Sequence, residues 1–75
     1  MSKKKDLAKE IHMLEEEIKL LEIKRSRSMA GLMEAFINHT EPEDDDVRYF
    51  RAFTADIEVK RTRLHECTKE LEGLI

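Results

Sequence analysis

The pattern that most restricts this chain is a pair of apolar stripes, spaced alternately three and four residues, on either side of its single proline, Pro42. Over the first half the stripe reads Leu7, Ile11, Leu14, Ile18, Leu21, Arg25, Ser28, Leu32 and Ala35. Over the second it reads Phe50, Phe53, Ile57, Lys60, Leu64, Cys67, Leu71 and Leu74. Such spacing gathers side chains on one side of an α-helix and does not match the two-residue period of a strand. Turn chemistry is confined to the Asn38–Asp46 segment. The sequence therefore predicts one all-α domain over residues 1–75, with helices over about 5–38 and 42–73 joined by a turn at 39–42.

Local signals give that turn a definite expected form. Thr40 and Glu43 have the spacing of a capping box, and Pro42 suits a first helical turn. Asn38 is a candidate left-handed C-cap for the first helix. The carboxylates of residues 43–46 would face the positive dipole end of the second helix.

With so short a connection the helices must run antiparallel, as a coiled-coil-like hairpin. Pairing Leu7 with Leu74, Ile11 with Leu71, Leu14 with Cys67 and Ile18 with Leu64 gives residue numbers that sum to 81 or 82. The same register sets Leu21 against Lys60, Arg25 against Ile57, Leu32 against Phe50 and the small Ser28 against Phe53. Size and hairpin plan resemble plasmid copy-control bundle proteins and the needle-subunit co-chaperones of type III secretion. The resemblance is one of architecture and carries no residue across.

A chain of 75 residues sits where apolar burial and ordering entropy nearly cancel, so a disulfide, a metal or a partner chain is normally required. Cys67 has no second cysteine, which removes the internal disulfide and favours a reducing, cytoplasmic setting. No run is apolar and long enough for a membrane span or a signal peptide. A second apolar set, Met13, Leu20, Ile23, Ala30, Met33 and Ile37, lies opposite the first seam and is the candidate interaction face. Met29 and Phe36 are expected to widen the seam itself, and the second helix adds Tyr49, Ala52, Ala55 and Val59. A helix apolar on two sides is normally covered on both. Self-association, with a dimer forming a helical bundle as the simplest case, is the expected consequence.

Catalytic and metal-binding patterns are missing from the sequence. His12, His39 and His65 share no i, i+4 face, and Cys67 falls on the core seam rather than in an electropositive, accessible place. The acidic run from Glu41 to Asp46 lacks the glycine of a calcium loop. No enzyme, cofactor or metal is expected. Basic residues concentrate in the middle of the hairpin, where Lys24, Arg25, Arg27, Lys60, Arg61 and Arg63 form a candidate anion belt unless Glu22, Asp56 and Glu58 neutralise it. A net charge of −3 argues against a general nucleic-acid surface. The leading expectation is a protein–protein interaction module, an adaptor, co-chaperone or inhibitor. An anion-, nucleotide- or RNA-binding helical module is the alternative.

Overall fold

The computed structural model describes residues 2–75 and consists of two α-helices, α1 (Lys3–Ile37) and α2 (Asp44–Gly73), packed side by side as an antiparallel hairpin. The helices, of 35 and 30 residues, match the two expected from the stripes, and the break falls where the turn signals place it. At 1.5 Å per residue, α1 alone spans about 52 Å, which accounts for the 55 × 16 × 14 Å dimensions of the hairpin.

The seam is narrow. Leu7, Leu14, Ile18, Leu21, Ser28 and Ala35 are buried from α1, and Ile57 and Cys67 from α2. Six of them form two clusters: Leu7, Leu14 and Cys67 with Ile11, Leu64 and Leu71 against them, and Ile18, Leu21 and Ile57 with Phe53 and Leu64. Ser28 is tolerated in the seam because its hydroxyl donates to the Lys24 carbonyl at 3.5 Å, four residues back. Thr54 has no such outlet, and its buried hydroxyl lacks a partner among the described residues.

Register differs in part from the sequence expectation. Leu14 does share a cluster with Cys67, and Ile18 with Leu64. Leu21, however, packs with Ile57, while the Lys60 ammonium reaches Glu17, one turn from Leu21 toward the open end. Phe50 shares a surface hollow with Arg25 and Met29. A Cβ at Gly31 would run into the Asp46 carboxylate, so the helices approach closely there. Facing numbers near the middle and the turn thus sum to about 77–78, roughly half a heptad from the expected value. At the open end Leu74 lies beyond the last helical turn, 38% exposed, and Leu71 packs in its place.

The turn corrects the capping assignments. Asn38 keeps a right-handed backbone (φ −84°, ψ 2°), and the left-handed residue is the next one, His39, at φ 54°. The His39 N–H donates to the Phe36 carbonyl at 3.2 Å and the Thr40 N–H to the Ala35 carbonyl at 2.9 Å, the paired bonds of a Schellman ending. The Thr40 hydroxyl also donates to Ala35, at 3.3 Å, so Thr40 closes α1 and does not cap α2. No capping box forms: Glu43 is itself the N-cap residue, extended, with no side-chain cap bond. Pro42 lies outside α2. Its ring disfavours a helical Glu41, which carries the chain out of α1 in an extended path before α2 begins. Asp44, Asp45 and Asp46 occupy the first turn of α2, as the dipole argument requires.

A β-carbon at the left-handed position is a removable cost. His39→Gly is expected to stabilise the hairpin by about 1 kcal/mol, read as a rise in the urea midpoint with an unchanged slope.

Candidate interaction face and basic belt

The 3–4 repeat that buries one side of α1 puts the second apolar set on its back. Met13, Leu20, Ile23, Met33 and Ile37 are between 52% and 68% exposed, and Ala30 is exposed among them. Phe36 and Met29 do not widen the seam. Phe36 is 79% exposed and Met29 41%, so both enlarge the solvent-facing apolar surface toward the turn. The physical reason is the 100° step of the helix, which turns Phe36 away from α2 once Ala35 occupies the seam. On α2, Tyr49 and Val59 are also exposed. Tyr49 stacks on Phe53 with ring centroids 6.0 Å apart, and the Arg48 guanidinium lies 5.9 Å from its ring centre. Phe50 and Phe53 are half-buried against α1 and not free to stack on a ligand.

The basic residues divide by helix. Each of the three belt cations on α2 is engaged by carboxylates. Lys60 contacts Glu17 at 3.2 Å and Asp56 at 3.4 Å. Arg61 contacts Glu22 at 3.4 Å. Arg63 grips Glu10 through two N–H bonds of 2.7 and 3.0 Å, a bidentate arrangement, and also meets Glu66. Glu22 and Asp56 act as the sequence suggested, whereas Glu58 has no ion pair among the described residues. Glu66 is a same-helix neighbour of Arg63, three residues on, and only Glu10 and Glu17 needed the docking of the two helices to be found. On α1, Lys24, Arg25 and Arg27 have no ion pair among the described residues. Every α1 carboxylate that the α2 cations reach lies between residues 10 and 22, nearer the open end than Lys24. The six candidate belt cations thus divide into three that are neutralised on α2 and three on α1 without an ion pair among the described residues.

Electrostatics inside the seam follow from these pairs. The Arg63 hydrogen bonds hold the Glu10 carboxyl below its ordinary range. Glu17, and then Asp56, raise Lys60, so it stays charged beside the seam. Burial pushes the Cys67 thiol up, helped by Glu10, which keeps it neutral and packed against Leu14. Among the described residues no three His, Cys, Asp or Glu side chains converge on a metal-sized site, and no helix is long and apolar enough to cross a membrane. Compared with protein-family models, curated proteins and solved structures, the chain matches none.

Proposed function

We propose that this protein is a non-enzymatic interaction module, a small adaptor, co-chaperone or inhibitor that works through the outer apolar face of α1. The observation that carries the reading is the amount of surface left uncovered. A compact monomer of 8.9 kDa would expose about 4,800 Å², whereas the hairpin exposes 5988 Å². The excess, about 1,200 Å², exceeds the roughly 800 Å² that one partner contributes to a standard interface. Met13, Leu20, Ile23, Met33 and Ile37 supply an apolar centre for such an interface. The single buried thiol suits a reducing, cytoplasmic setting.

The test compares wild type with an Ile23→Glu, Met33→Glu variant by sedimentation and by co-purification from the native cell. Association that depends on those two residues supports the reading. Identical behaviour of the two chains overturns it.

A second reading rests on Lys24, Arg25 and Arg27, which have no ion pair among the described residues. An anion bound only by the folded form raises the melting temperature. Millimolar phosphate or nucleotide is expected to raise it by no more than a degree or so, because Lys60, Arg61 and Arg63 are already neutralised. A climb that continues with concentration, and that a Lys24→Gln, Arg27→Gln variant loses, would make anion binding the better reading.

A further inference from the structure

The outer face of α1 is not simply apolar, and its charges indicate what covers it. Continuing the 3–4 spacing along the back of the helix gives Lys9, Met13, Glu16, Leu20, Ile23, Arg27, Ala30, Glu34 and Ile37, all exposed. Lys9, Glu16, Arg27 and Glu34 interrupt the stripe, and none has an ion pair among the described residues. By contrast Glu10, Glu17 and Glu22, on the flanks of the inner seam, are each paired with α2.

We infer that this stripe is the docking surface for a second copy of the same chain, with the two α1 helices antiparallel and facing residue numbers summing to 43. The inference rests on the interaction reading above and names the partner. In that register Leu20 of each copy meets Ile23 of the other at the centre. Glu16 meets Arg27 in the next layer, Met13 meets Ala30, and Lys9 meets Glu34 toward the ends. From Lys9 to Glu34 apolar groups lie against apolar groups and each charge against its opposite, which is how antiparallel seams fix partner and register; only the end layers, Asp6 against Ile37, depart from this.

Neighbouring registers fail on charge. Sliding one seven-residue step in one direction sets Glu16 against Glu34. Sliding the other way sets Arg27 against Lys9 and Leu20 against Glu16. A parallel pair would place Glu16, Arg27 and Glu34 each against its own copy. The sum of 43 also overlaps the two helices from residue 6 to Ile37, almost the whole of α1. Because this stripe lies opposite the inner seam, each α2 stays on the far side and the four helices form a layer.

Charge reversal at the Glu16–Arg27 layer tests the register, since that layer occurs twice in the dimer. Dissociation constants are measured by sedimentation, with circular dichroism reporting helicity. Glu16→Arg and Arg27→Glu should each weaken the dimer about tenfold, and the two together in one chain should return it to within about threefold of wild type. As a second measurement, a Leu20→Cys chain mixed with an Ile23→Cys chain should oxidise mainly to the mixed disulfide; Cys67 is enclosed and does not compete. Single reversals without effect, a double reversal that fails to rescue, or a predominance of symmetric disulfides would each overturn the register. A chain that is monomeric, yet still holds another protein through Ile23 and Met33, overturns the second copy and leaves the interaction reading standing. If neither association depends on these residues, both fall.

Discussion

Ile57→Ala should lower the stability of the hairpin by about 3–4 kcal/mol, measured as a fall in the urea midpoint at fixed protein concentration. Ile57 is fully enclosed, held by Ile18, Leu21, Phe53 and Leu64. Truncation to alanine removes its transfer free energy and leaves a void that two rigid helices close only partly. A chain of 75 residues typically has about 4–11 kcal/mol in total, so this one substitution would remove a large share. Ile57→Val, which deletes a single methyl, should cost about 1 kcal/mol. Leu71→Ala should cost less than Ile57→Ala because Leu71 is only half-buried. A loss below 1 kcal/mol for Ile57→Ala would mean that the central cluster is not the anchor of the fold.

The outer-face variant Ile23→Glu, Met33→Glu should raise the dissociation constant of the self-associated form at least a hundredfold. A hundredfold change corresponds to about 2.7 kcal/mol. In the proposed pairing Ile23 lies at the centre and enters the interface twice, once from each copy. Setting a carboxylate against Leu20 removes an apolar contact and strands a charge away from water. Both residues are more than half exposed in the single hairpin, so the inner seam is untouched and the variant should remain helical. Sedimentation at micromolar concentration checks the first expectation and circular dichroism the second. An equally associated variant would show that the outer face is not the contact.

Periodicity was enough to identify two helices and most of the inner seam, and turn chemistry placed the break between them. Leu7, Leu14, Ile18, Leu21, Ile57 and Cys67 are buried where the 3–4 spacing puts them, because the side on which a residue lies is set by the helical step and needs no knowledge of the partner. The same argument left Met13, Leu20, Ile23, Met33 and Ile37 on the back of α1, where they are exposed.

Register was beyond the sequence. A heptad pattern matches itself at successive slips, so apolar spacing could not separate a pairing of Leu21 with Lys60 from the pairing with Ile57. Docking decided it, through the close approach of Gly31 to Asp46, the packing of Leu21 with Ile57 and the ion pair of Lys60 with Glu17. The pairing of the basic residues followed from that choice, since the cations on α2 found carboxylates between residues 10 and 22 of α1. The turn shows the same division on a smaller scale. Asn38, Thr40, Pro42 and Glu43 announced a chain reversal. That His39 would adopt the left-handed backbone, and that Thr40 would close α1 and not open α2, depended on where the helix stopped. The sequence determined which sides of the helices are apolar, because that is local geometry; the tertiary structure decided which residues face each other, because facing is a property of two helices and of the turn that sets their offset.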